Sequence, residues 1–299
     1  MTKVTILDGS IGQELVNRSG LKPDGLWSTK TLKEMPELIQ EVHRDYFKAG
    51  AEIATTNTYT LHRDRLARFN IEDEFESLNR IACEITVSAR DAFGSGLVGG
   101  ALGPTGGSYQ PELAPDTEVA AELFREIATV QAPYVDFYLL ETMSSVDQAR
   151  GALMGATSVG KPVWLSVSVL DDDGSRLRSG ESVANVLPLL SEFPVSAFLV
   201  NCSTPEAIST TMGLLAEQSS SSGALDGVPL GAYANGFTKI EKAFQQPGAS
   251  VDVLEERTDL DANQYADFAS RWVADGATIV GGCCCVGPAH IAELHKRFG

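Results

Sequence analysis

Positive charge is scarce in this sequence: Lys and Arg number 23 against 40 Asp and Glu, a formal net charge of −17. Nucleic-acid binding needs dense Lys and Arg meeting phosphate, so no nucleic-acid partner is expected. An anionic membrane surface is disfavoured on the same ground. Long apolar runs are missing as well, since none approaches the roughly 18 residues of a spanning helix. Met1-Thr2-Lys3, followed at once by Val4-Thr5-Ile6-Leu7-Asp8, lacks the apolar core of a signal peptide. A cytoplasmic protein with no membrane partner is therefore expected. No GxGxxG or Walker loop follows any apolar run, which removes the usual sign of a nucleotide-binding open sheet. Histidine is sparse: His43, His62, His290 and His295 fall on or near helical segments, where exposed or capping roles are expected, and no Ser-His-Asp arrangement declares itself.

What is present is a repeat. Short apolar, β-branched runs occur at Val4–Asp8, Ile53–Asn57, Leu97–Gly103, Val135–Glu141, Val163–Val169, Ala197–Cys202, Val228–Asn235 and Thr278–Cys283. Most do not alternate, as expected for parallel strands covered on both faces. Between them apolar residues recur at helical spacing, as in Leu38, Ile39, Val42, Tyr46 and Phe47, in Phe75, Leu78, Ile81, Ile85 and Ala89, and in Val119, Leu123, Ile127 and Val130. Eight strand-then-helix units in one unbroken series predict an α/β fold, a single-domain (β/α)8 TIM barrel over residues 1–299. The run Ser219–Gly223 reads as a surface loop, and Asp171-Asp172-Asp173-Gly174 as a turn that lacks the ligand spacing of a calcium loop.

In such barrels the reactive side chains come from the C-terminal ends of the strands. Here those ends bring Asp8, Asn57, Glu141, Cys202 and the run Cys283-Cys284-Cys285 to one rim. The five cysteines make an odd count, and neighbours in sequence pair badly as disulfides. Clustered thiols therefore point to metal or catalysis. Cys202, Cys283 and Cys284 form a set of three thiolates with an open fourth position, the pattern of a catalytic zinc site. Thiolates favour zinc over harder cations. Gly281-Gly282 is expected to supply the sharp bend that lets two successive cysteines reach one ion. Cys83 reads as a core residue, and Cys285 has no assigned role. The carboxylates of Asp8 and Glu141 emerge from apolar strands, and three roles fit them: structural acceptor, general acid or base, and capture of a substrate ammonium group.

Several segments, in order, resemble the homocysteine S-methyltransferase family. They are Leu7-Asp8-Gly9-Ser10, Leu26-Trp27-Ser28, Gly103-Pro104-Thr105-Gly106, Leu140-Glu141-Thr142, Asn201-Cys202 and Gly281-Gly282-Cys283-Cys284. Pro36-Glu37-Leu38-Ile39, His43, Gly50-Ala51 and Asn57 match as well, so the resemblance covers nearly the whole chain. It implies a zinc-dependent barrel enzyme of methionine biosynthesis, with Cys202, Cys283 and Cys284 as metal ligands. It also implies that Asp8 and Glu141 hold the amino group of homocysteine. Amides around Gly9 and Ser10, or the loop at Thr56 and Asn57, would take the carboxylate, and Trp27 would stand near the methyl donor.

The implied reaction moves a methyl group from an onium donor, such as S-methylmethionine or betaine, to the thiolate of L-homocysteine, giving methionine. Two other readings stand beside it. One is a homocysteine-activating partner of a separate corrinoid protein. The other is a non-catalytic zinc- or thiol-binding barrel, which could dispense with Asp8 and Glu141. The sequence departs from the family at Cys285-Val286, where Gly or Arg and then Thr commonly follow the paired cysteines. The loop Gly106–Glu112 and the polar stretch Phe237–Asn263 are the expected shapers of donor choice. Oligomeric state is not legible in the sequence.

Overall fold

A computed structural model describes residues 3–21, 28–223, 225–240, 244 and 253–299. Eight parallel strands are joined in the order β1-β8-β7-β6-β5-β4-β3-β2. They are β1 (Thr5–Ile6), β2 (Ile53–Thr55), β3 (Leu97–Leu102), β4 (Phe137–Met143), β5 (Val163–Val167), β6 (Val195–Asn201), β7 (Leu230–Tyr233) and β8 (Ala277–Val280). The ring closes between β1 and β2 through a parallel bridge from Leu7 to Ile53, with Asp8 N donating to Ile53 O at 3.0 Å and Glu52 N donating to Ile6 O at 2.8 Å. The fold is thus a (β/α)8 barrel.

Helices cover the outside: α1 (Ile11–Ser19), α2 (Thr29–Glu34), α3 (Pro36–Lys48), α4 (Arg63–Ala67), α5 (Phe75–Phe93), α6 (Thr117–Gln131), α7 (Val146–Thr157), α8 (Leu187–Glu192), α9 (Pro205–Ser222), α10 (Ala262–Ala274) and α11 (Pro288–Phe298). Their apolar stripes bury a continuous shell against the strands, which explains why the strands read as unbroken apolar runs. Inside the ring, Ile53, Phe137, Leu139, Ala197, Leu199 and Ile279 interdigitate. These six come from even-numbered strands, and Leu7, just past β1, and Tyr233 of β7 join them. Phe137 stacks on Trp164 at 4.1 Å near the N-terminal ends of β4 and β5.

Four expectations need correction. The segment Ser219–Gly223 is not a loop, because α9 runs to Ser222 and stops at Gly223 with φ 66. Glu141 does not end its strand but lies inside β4, which continues irregularly to Met143. His43 and His62 are neither exposed nor side-chain caps: both are fully buried, His43 beside Thr86 Oγ1 and His62 edge-on to Phe124. On α6 the buried face passes through Ala120, Phe124 and Ile127, leaving Val119 53% exposed. Among the described residues no helix is long and apolar enough to cross a membrane.

Candidate active site

The C-terminal rim surrounds a cavity of about 740 Å³, open mouth included, lined by Asp8, Asn57, Glu141, Cys202, Cys283 and Cys284 among others. The three cysteines present their sulfurs within 4.8 Å of one another, a spread that one ion can bridge. Each is fixed by backbone rather than by side-chain packing alone. Cys202 follows β6 with φ 50, and its N–H donates to Tyr233 O at 3.2 Å. Cys283 N donates to Ala234 O at 2.9 Å, while Gly236 N donates to Cys284 O at 2.8 Å, so the segment after β7 braces both. Tyr265 of α10 donates to Gly281 O at 2.7 Å and accepts from Ala234 N at 2.9 Å, tying the ends of β7 and β8 together.

Neither Gly281 nor Gly282 has a positive φ, and the turn expected there falls instead at Cys284-Cys285. The role of the two glycines is close approach: a β-carbon on Gly281 would stand 2.5 Å from Leu7 Cβ, and one on Gly282 2.2 Å from Val286 Cγ1. The left-handed residue is Cys285, at φ 64, which turns the chain after the paired cysteines. Cys202 accepts hydrogen bonds from the other two thiols and from Tyr109, with Arg178 nearby, and these hold it well below the usual thiol range.

The two carboxylates are held differently. Asp8 accepts from Thr55 N at 2.6 Å and from Thr55 Oγ1 at 3.0 Å. Burial nonetheless pushes its pKa well up, and the neighbouring Glu141 adds to the rise. Glu141 accepts from Tyr233 OH at 3.1 Å, and burial raises it to about 8. Both acids therefore sit in a site short of positive charge. An ammonium group placed between them would restore the ionised forms.

Around the α1 N-terminus, Gly9, Ser10, Ile11 and Gly12 line the cavity. Ser10 caps the helix through Gln13 N, and its own N–H donates to Val286 O at 3.0 Å. Gly9 is obligatory by space, since a β-carbon would lie 2.2 Å from Val286 O. Asn57 is buried, with Oδ1 accepting from Ser28 Oγ at 2.5 Å, and its Nδ2 has no hydrogen-bond partner among the described residues. Buried donors without partners are rare, so this one marks a place for an acceptor. Trp27 lies outside the described residues, as do residues 241–243 and 245–252 of the expected donor-shaping stretch.

Sequence reasoning did not anticipate the supports. Asn201 accepts from Thr142 N at 3.0 Å and donates to Thr142 Oγ1 at 3.0 Å, holding Thr142 at φ 63. A β-branched residue keeps that conformation only under constraint. Arg178 makes a two-pronged ion pair with Asp171 at 2.8 and 3.0 Å and donates to Cys202 O at 3.2 Å. Asp171 also accepts from Thr204 N and Ile240 N. The acidic turn after β5 thus knits together the loops that follow β6 and β7. The loop after β3 is held by α4, where Asp64 accepts from Gly106 N at 2.9 Å and Arg65 donates to Pro104 O at 2.8 Å. It delivers Tyr109 OH to within 3.0 Å of Cys202 Sγ.

A family model described as homocysteine S-methyltransferase matches residues 5–298. The homocysteine S-methyltransferase of Escherichia coli is 29% identical over 322 residues, covering 98% of this chain and 95% of that protein. The homocysteine S-methyltransferase YbgG of Bacillus subtilis is 27% identical over 311 residues, covering 97% and 92%. Among solved structures, the metallated form of the Escherichia coli homocysteine methyltransferase MmuM superposes with a TM-score of 0.79 at 28% identity, covering 99% of this chain and 96% of that one.

Proposed function

Because the chain belongs to the homocysteine S-methyltransferase family and is a methyltransferase, we propose that it carries a methyl group from an onium donor, such as S-methylmethionine or betaine, to the thiolate of L-homocysteine, giving methionine. The observation that carries this reading is the joining, in one cavity, of the cysteine trio with two desolvated carboxylates. Cys202, Cys283 and Cys284 fit zinc by their chemistry, because three soft thiolates leave room for one further ligand. Zinc, when bound, supplies the positive charge that keeps a substrate thiol ionised near neutral pH.

The rest of the work falls to the chain. Asp8 and Glu141 receive the substrate ammonium, which replaces the missing countercharge between them. Asn57 Nδ2 and the amides opening α1 receive the substrate carboxylate, the helix terminus adding its partial positive charge. Held at both ends of its amino-acid part, homocysteine can extend only its thiol toward the cysteines. That fixed direction gives the methyl carbon of the donor one line of approach. Alignment of two reactants in this way is worth on the order of 7–11 kcal/mol. The donor loses its positive charge as it departs, so no general acid is needed at the leaving group.

The test is methionine formation by reduced, zinc-loaded protein given L-homocysteine and, separately, S-methylmethionine or betaine carrying a deuterated methyl group. The expected result is labelled methionine with one of them, and none from Cys202→Ala. Absence of methionine across both donors from protein that holds stoichiometric zinc would overturn onium transfer. It would favour delivery by a corrinoid partner.

A further inference from the structure

Tyr109 lines the same cavity, from the loop after β3. It adopts φ 61, a left-handed conformation rare for an aromatic residue. Its ring lies 5.0 Å from the guanidinium carbon of Arg178 and 5.9 Å from the ring centre of Phe244. Its hydroxyl stands 3.0 Å from Cys202 Sγ. A metal-bound cysteine is a thiolate with no proton to give, so in that state the phenol donates and the sulfur accepts. Arg178, paired with Asp171 and bonded to Cys202 O, fixes the phenol and the cysteine backbone relative to each other.

We propose that Tyr109 is a positioning residue that directs the methyl group to the substrate by hydrogen-bonding the Cys202 sulfur and suppressing its nucleophilicity. The inference rests on the metal-thiolate reading of the trio. A centre that activates one thiolate for methyl transfer keeps three more beside it, and each is a competing nucleophile. In the misdirected reaction Cys202 Sγ attacks the methyl carbon and a new carbon–sulfur bond forms. The bond from that carbon to its carrier breaks, and the electron pair leaves with the carrier. The product, S-methylcysteine, is a neutral thioether and a poor ligand, so one such event disables the site. A hydrogen bond from Tyr109 occupies a lone pair of the Cys202 thiolate and stabilises its negative charge, which lowers its reactivity toward the methyl carbon.

The experiment treats zinc-loaded wild type and Tyr109→Phe with iodomethane, without homocysteine or donor, and maps methylated cysteines by peptide mass spectrometry. Neither natural substrate is involved, so failure here is distinguishable from failure of the homocysteine or donor assignment. The variant keeps the ring between Arg178 and Phe244 and removes only the hydroxyl. Methylation of Cys202 should be about tenfold faster in the variant, the kinetic equivalent of one charge-assisted hydrogen bond. Cys285, outside the trio, should be methylated at equal rates in both proteins and serves as the internal reference. Equal rates at Cys202 would overturn the proposal. So would loss of zinc from the variant, which would assign the hydroxyl to metal retention instead. A second measurement leaves the fold intact: replacing tyrosine by 3-fluorotyrosine throughout, a stronger donor of nearly the same size, should slow methylation of Cys202, and an unchanged rate would also overturn it.

Discussion

Cys285 occupies a backbone conformation, φ 64, that glycine reaches freely and that costs a residue with a β-carbon roughly 1–2 kcal/mol. Cys285→Gly should therefore keep zinc and turnover and melt at or slightly above wild type. Loss of stoichiometric metal from that variant would mean that the ligand set includes Cys285. Glu141 offers a test through pH. Its folded-state pKa, about 8, lies above that of a free glutamate, so the folded state favours the protonated form. The stability it contributes is complete below the unfolded value, near 4.5, and is lost as pH rises through about 8. In metal-free, reduced protein, the melting temperature of wild type should fall relative to Glu141→Gln between pH 5 and pH 8. Parallel profiles would contradict the desolvated carboxyl. Asp8, Glu141 and the cysteines were legible as residues because strand ends can be read from apolar runs. Their partners were not: Thr55 lies 47 residues from Asp8 and Tyr233 lies 92 from Glu141, and only barrel closure brings them together.

Among the elements, the turn after β5 carries more than its sequence suggests. Three aspartates followed by glycine read as a solvated turn, and Asp173 does accept from Ser175 in that way. Asp171 instead forms a nearly buried pair with Arg178, the side chains 10% and 6% exposed. Asp171→Asn leaves that guanidinium uncompensated and should destabilise the protein by about 3 kcal/mol, with weaker zinc binding, because Arg178 also holds Cys202 O. Denaturant unfolding and metal competition measure both; an unchanged midpoint would show that the pair contributes nothing. Helix positions were legible from spacing, but facial register was read less well. On α6 the run Val119, Leu123, Ile127 and Val130 has helical period, yet the buried face also carries Ala120, Ala121 and Phe124, the alanines lying against α7. Apolarity alone does not reveal that a helix packed tightly on α7 wants alanine and glycine. Gly155 shows why: a β-carbon there would lie 2.3 Å from Ala121 O. The turns at α1, α2 and α4 were not legible either, since short helices carry too few apolar positions to define a period.

At the scale of the whole molecule, few of the many acidic groups face the cavity, and those that line it are Asp8 and Glu141. The barrel was legible because eight repeats leave few ways to arrange a parallel sheet, and closure through Leu7 and Ile53 gives every strand end access to one mouth. The central proposal is that the substrate sulfur joins Cys202, Cys283 and Cys284 at one metal ion. The most direct test is X-ray absorption at the zinc edge on the loaded protein, before and after addition of L-homocysteine. The account predicts a shell of three sulfurs that gains a fourth at about 2.3 Å when homocysteine binds. A sulfur count unchanged by saturating homocysteine would contradict it.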